Sequence, residues 1–99
     1  MVYHIILWDL KNDIIQDDRD IVKGLIKEKL EALNGQLEGL IDLKVYTNPL
    51  PSSNSDIMLV STFKNEDALD YYQSHPEHIK AATYVRSVVT NRRLMDCED

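Results

Sequence analysis

Residues Val2 to Leu10, VYHIILWDL, are apolar on both sides of a strand. Successive side chains in a strand point to opposite faces, so His4, Ile6, Trp8 and Leu10 share one side and Tyr3, Ile5 and Leu7 the other. A strand buried on both faces sits in the middle of its sheet and is covered twice. With 99 residues the chain is read as one domain, 1–99, in a size class that often gains stability by oligomerising. Its helices can cover only one side of the sheet. The other side calls for a second copy, and a homodimer is expected.

The rest of the chain alternates between the two periodicities. Asp17 is read as a helix N-cap, with Asp18 and Asp20 near the positive end of the helix dipole. Ile21, Val22, Leu25, Ile26, Leu30 and Leu33 form a helical stripe that stops at Asn34-Gly35. Gly24 inside that stripe costs roughly 1 kcal/mol relative to alanine, which implies a packing reason for it. Ile41, Leu43, Val45 and Thr47 alternate with Asp42, Lys44 and Tyr46 as a half-exposed second strand. A proline-containing loop, Asn48 to Ser55, precedes a third strand from Asp56 to Phe63, apolar enough to be central. Asn65-Glu66-Asp67 opens a helix that ends before Pro76, and Pro76 opens a further short helix. Thr90 to Cys97 is the last strand. The order β-α-β-β-α-β predicts an α+β, ferredoxin-like antiparallel sheet with helices on one face. Two such sheets face to face would close a homodimeric α/β barrel.

Composition narrows the partners. Eleven Lys+Arg against seventeen Asp+Glu give a formal charge of −6, which argues against nucleic acid, because phosphate binding needs a cationic patch. Arg92-Arg93 is no such patch, since strand alternation sends the pair to opposite faces. No apolar run is long enough to span a membrane, and the N-terminus enters a strand pattern without the regions of a signal peptide. The single Cys97 cannot form an intrachain disulfide. A cytoplasmic protein is expected.

All three histidines fall in two short segments. His4 lies on the first strand, and His75 and His78 lie in Tyr72-Gln73-Ser74-His75-Pro76-Glu77-His78. Together with His4-Ile5-Ile6-Leu7-Trp8, Asp56-x6-Phe63, Ala68-Leu69 and a terminal strand reaching Asp96, that run resembles the stress-responsive dimeric α/β-barrel (Dabb) family over essentially the whole chain. The resemblance implies a ferredoxin-like protomer in a homodimeric barrel, in a family most of whose members have no assigned activity. Some plant members are cyclases that close linear polyketide chains by aldol condensation. Their tyrosine and histidine fall on Tyr72 and His78, and a first-strand histidine falls on His4. A further cavity histidine of the cyclases falls on Ile57, a departure from their set. Some members hold a divalent cation near the dimer contact, and no residue set here reproduces that site.

Two readings of these residues follow, the catalytic one being the alternative to a small dimeric domain of unassigned activity that binds an apolar ligand between sheet and helices. In the first, Tyr72, His78 and His4 line one cavity walled by Ile6, Trp8, Ile57 and Leu59, and act on an enolisable carbonyl compound without a cofactor. His78 in the first turn of a helix feels the positive end of the dipole, which keeps an imidazole neutral and able to accept a proton. The Tyr72 hydroxyl would donate a hydrogen bond to a carbonyl oxygen. In the second reading, His75-Pro76 only ends one helix and starts the next, and the same side chains fill space in a dimeric domain that binds a small apolar ligand. No metal is expected, because His75, Glu77 and His78 lack the two-histidine helical face of known zinc motifs. No cofactor is expected either, since glycine-rich phosphate loops and serine nucleophile motifs are absent.

Overall fold

The computed structural model describes residues 1–99. Seven elements follow one another: β1 (Val2–Leu10), α1 (Gln16–Glu31), β2 (Leu40–Tyr46), β3 (Ile57–Phe63), α2 (Glu66–Ser74), α3 (Pro76–Val88) and β4 (Val89–Glu98). The strands form one antiparallel sheet in the order β2-β3-β1-β4, so the two strands with apolar residues on both faces are the central pair. The helices lie on one face of the sheet, and the fold is ferredoxin-like α+β.

Alternation along β1 decides which side chains meet the helices. Val2, His4, Ile6, Trp8 and Leu10 are buried, and the residues between them are half-buried. The register places Ile6 opposite Leu59 and Trp8 opposite Ile57 on β3, and all four join a core with Ile26 and Leu30 of α1 and Leu69 and Tyr72 of α2. Burying each large apolar side chain contributes about 1.5–3 kcal/mol. On the opposite face Tyr3, Ile5, Leu7, Met58 and Val60 are half-buried and Met95 is exposed, with no helix above them.

The edge strand β2 has its outer backbone groups occupied from within. Asn34 pairs with Leu43 in both directions, its Oδ1 accepting from the Leu43 N–H at 2.9 Å and its Nδ2 donating to the Leu43 carbonyl at 2.8 Å. Glu31 Oε2 accepts from the Val45 N–H at 2.9 Å, while Lys27 Nζ donates to the Val45 carbonyl at 2.7 Å. Burial alone would raise the Glu31 carboxyl, yet the bonds from Lys27 and Val45 outweigh it and hold the group below the usual range. An edge filled in this way is closed to another strand. The outer edge of β4 carries no such cover.

Several boundaries differ from the sequence reading. Ile15, not Asp17, is the N-cap of α1, without a side-chain cap; Asp17 and Asp18 fall in the first turn, where the dipole favours them. The inward stripe is Val22, which is partly buried, with Ile26, Leu30 and Leu33, at steps of four and three, and this turns Ile21 and Leu25 outward, 61 % and 36 % exposed. Gly24 has no packing role: a Cβ there would meet nothing within 4 Å. The helix proper ends at Glu31, followed by turns through Gly35 at φ 79°. A register shift between Leu40 and Asp42 leaves Ile41 on the exposed side of β2. The third helix is 13 residues long rather than short. The close approach that requires a glycine is at Gly39, where φ is 88° and a Cβ would run into that of Ala68.

Candidate functional site

A cavity of about 710 Å³ lies between α3 and the β1–β4 side of the sheet. Three elements build it by their own periodicities. Strand β1 contributes His4, Ile6 and Trp8 at every second position, and β4 contributes Arg92 and Leu94. Helix α3 contributes His78, Ala82, Val85 and Arg86, spaced to share one helical face. Tyr72, at the end of α2, and Leu59 complete the named wall. Ile57 does not line the cavity, contrary to the sequence reading. It lies opposite Trp8 at the start of β3 and is taken up by the core, whereas Leu59, two residues on and opposite Ile6, reaches the wall.

His4, Tyr72 and His78 come together at one end. The Tyr72 ring lies 4.2 Å from that of His78 and 6.2 Å from that of His4, centroid to centroid, with Phe63 packed beneath at 4.9 Å from Tyr72. Pro76 at the first position of α3 sets up this junction. His75 is its N-cap, with Nδ1 accepting from the Glu77 N–H at 3.1 Å. That bond commits the His75 ring to the backbone, and no group of three or more His, Cys, Asp or Glu side chains is arranged to hold a metal ion.

The hydrogen bonds fix which nitrogen of each ring is free. His78 Nδ1 lies 3.2 Å from the Gln73 carbonyl, which can only accept, so Nδ1 carries the proton and Nε2 of the neutral ring is a free base. Burial lowers the His78 pKa below its ordinary 6.5; the Gln73 bond opposes this, and charge on His4 and Arg86 adds to it. The direction is the one expected from the sequence, but desolvation is its first cause rather than the helix dipole. Tyr72 is 1 % exposed, and burial pushes its pKa well above the ordinary value, keeping the phenol protonated. Its hydroxyl has no hydrogen-bond partner in the chain, yet no buried side-chain oxygen or nitrogen is left unpartnered, so it opens onto the cavity.

Asp96 is the residue that the sequence reading missed. His4, 3 % exposed, places Nδ1 at 2.5 Å from Asp96 Oδ1 on the neighbouring strand β4. The carboxylate accepts from Nδ1 and orients the ring, and the Nε2 edge has no partner in the chain. The pairing follows from topology. β1 and β4 run antiparallel, so residue 4 meets residue 96 once the two strands are known to be neighbours. The site thus presents a neutral imidazole base, an unpartnered phenol and a carboxylate-oriented imidazole around one space.

Residues 2–99 match the family model described as Stress responsive A/B Barrel Domain. Among solved structures, a dimeric protein of unknown function with a ferredoxin-like fold from Bacteroides fragilis superposes with a TM-score of 0.90 at 31 % identity, covering 99 % of this chain and 95 % of that one. A dimeric ferredoxin-like protein of unknown function from Jannaschia sp. gives 0.81 at 20 % identity over 99 % and 98 % of the two chains. A Dabb family protein with a ferredoxin-like fold from Mesorhizobium loti gives 0.74 at 15 % identity over 99 % and 95 %. The last two likenesses concern the fold alone. A search of curated proteins gives no match.

Proposed function

The chain belongs to the stress responsive A/B barrel domain family, and on that premise we propose that its cavity binds a compact, largely apolar carbonyl compound on which Tyr72 and His78 carry out proton transfer. The observation that carries this reading is the state of His78. Its Nδ1–H is engaged by the Gln73 carbonyl, and its ring packs against a phenol that is protonated and unpartnered. In the step proposed, His78 Nε2 takes a proton from the carbon beside the carbonyl, the C–H bond breaks, and its electron pair moves onto the carbonyl oxygen. The Tyr72 hydroxyl donates a hydrogen bond to that developing oxyanion. Where a double bond is conjugated with the enolate, returning the proton to its far carbon isomerises the compound; alternatively the enolate attacks a second carbonyl, a carbon–carbon bond forms, and the His78 imidazolium gives its proton to the new alkoxide. His4, held by Asp96, is a second imidazole beside the same phenol. No step needs a metal or an organic cofactor.

Acetophenone in D2O tests this reading, with loss of its methyl proton signal followed by NMR. The protein is expected to accelerate deuteration over buffer, and Tyr72→Phe and His78→Gln to return the rate to background. Exchange retained in both variants, or never above background, would defeat it. A second reading, binding without turnover, is favoured by Ile57, which stands where the related cyclases carry a further histidine. It predicts acetophenone-induced shifts at cavity residues without deuteration.

The same reading includes assembly. The helix-free face carries Tyr3, Ile5, Leu7, Met58 and Val60, a contiguous apolar surface of the kind that marks a protein contact. The Bacteroides fragilis protein is described as dimeric. Both support a homodimer closed through this face.

A further inference from the structure

The cavity has two chemically different ends, and the second is not explained by proton transfer. Along β1 the side chains facing α3 run from His4 through Ile6 to Trp8, and those of β4 run alongside from Asp96 through Leu94 to Arg92. The helix repeats the order, from His78 through Ala82 to Arg86. Eight residues of helix separate the Cα atoms of His78 and Arg86 by about 12 Å, and four residues of strand separate His4 and Trp8 by about 13 Å. By backbone position the acid–base groups occupy one end and an apolar middle follows, while Arg86 and Arg92 stem from the other end, with Arg86 near enough for its charge to be felt at His78.

Neither arginine has an anionic partner. The ion pairs of the chain are His4–Asp96, Arg19–Asp56, Lys27–Glu31 and Lys80–Glu77. In a chain with seventeen acidic side chains against eleven basic ones, none of the residues lining the cavity is an aspartate or glutamate. The carboxylates on the flanking strands are engaged elsewhere: Asp96 with His4, and Asp9, which borders Arg92 on the helix-free side, with the Asn91 amide and the Asp56 N–H. An irregularity in the β1–β4 register between Leu7 and Asp9, with Asn91 at φ 54° and its amide donating to Asp9 Oδ2 at 3.0 Å, falls beside Arg92. Bulges of this kind re-aim side chains next to sites. Arg92 stands at the outer edge of β4, where it also borders the helix-free face.

We propose that the cavity takes a carboxylate-bearing ligand, its acid group held by Arg86 and Arg92 and its apolar body reaching toward Tyr72 and His78. The proposal rests on the reading of the cavity as a small-molecule site and names the ligand class. Guanidinium groups bind carboxylates through paired N–H donors of matching geometry. The helix spacing, less the reach of the side chains inward, leaves room for a ligand whose carbonyl lies one aromatic ring away from its carboxylate. A keto acid of that shape would place its enolisable carbon at the imidazole end. The two arginines are exposed, so water screens part of the attraction.

The probes are para-acetylbenzoate and its neutral isostere para-acetylbenzamide, titrated into the intact protein at low salt and followed by NMR shifts of cavity residues. The acid is expected to bind about tenfold more tightly than the amide, the size of one charge-assisted contact. Raising the salt should weaken the acid and leave the amide unaffected. In the double variant Arg86→Gln, Arg92→Gln the two affinities should converge, with the amide held near its original value. Equal affinities in the unaltered protein, or a preference for the acid that survives the double variant, would overturn the anion site while amide binding keeps the cavity reading intact. Failure of both probes to bind would overturn both.

Discussion

His4 Nδ1 and Asp96 Oδ1 face each other at 2.5 Å across the β1–β4 pair, joining a buried side chain near the start of the chain to a carboxylate near its end. The contact ties β4 into the sheet through side chains as well as backbone. A buried polar group that loses its only partner costs about 1–3 kcal/mol. Asp96→Ala should therefore destabilise the protein by roughly 1–2 kcal/mol in urea denaturation. Asp96→Asn keeps a carbonyl acceptor for the Nδ1–H and should lose less. Equal stability of the alanine variant and the parent would mean that His4 is held by packing alone.

How much of this was legible in the sequence depends on whether a residue's partner was near it in the chain. The two-sided apolar pattern of Val2 to Leu10 announced a central strand, and β1 lies in the middle of the sheet. Asn65 as a cap was readable because its bond to the Ala68 N–H is local. The bond from Asp96 to His4 was not, since its partners are 92 residues apart and meet only through the register. Strand alternation turns Arg92 away from Arg93, which argues against a cationic patch, and the same alternation leaves Arg92 beside the cavity. Ile57 and Leu59 look alike in sequence and share a face of β3, and only their places along the strand, opposite Trp8 and opposite Ile6, separate them. Periodicity also does not choose between adjacent helical stripes, and Ile21 and Leu25 belong to the exposed one.

The two glycines offer a contrast in sign. Gly24 sits in the exposed part of α1 with open space around its missing Cβ. Gly24→Ala should raise stability by about 1 kcal/mol and the thermal midpoint by roughly 4–8 °C at matched protein concentration. Gly39→Ala combines a positive φ with a collision against Ala68 and should lower stability by more than about 1 kcal/mol. Calorimetry of the two variants distinguishes them, and a destabilised Gly24→Ala would reveal a contact that α1 makes outside this chain.

Assembly has its own test. Leu7 lies at the centre of the helix-free face, between Met58 on β3 and Arg93 on β4. Leu7→Glu would bury a carboxylate in the proposed dimer contact. Sedimentation at micromolar concentration should show a dimer for the parent and a monomer for the variant. A monomeric parent would remove the barrel.

Stability should also depend on His78 as pH changes. A histidine whose pKa is lower in the folded state binds fewer protons there than in the unfolded chain. Its contribution is fully present above the unfolded value and is lost as pH falls through the folded one. Acidification should therefore weaken the parent more than His78→Gln, with the difference developing from just above 6.5 downward. Parallel pH dependences of the two proteins would show that the ring is equally solvated in both states.

The measurement closest to the central claim is an NMR titration of the His78 ring with nitrogen-15 detection. The expected result is a pKa below 6.5 and, at pH 7, a neutral ring with its proton on Nδ1 and a bare Nε2. That result would leave a base facing the Tyr72 hydroxyl at neutral pH. A pKa above 6.5, or a proton resting on Nε2, would contradict it and leave the cavity with no base at that position.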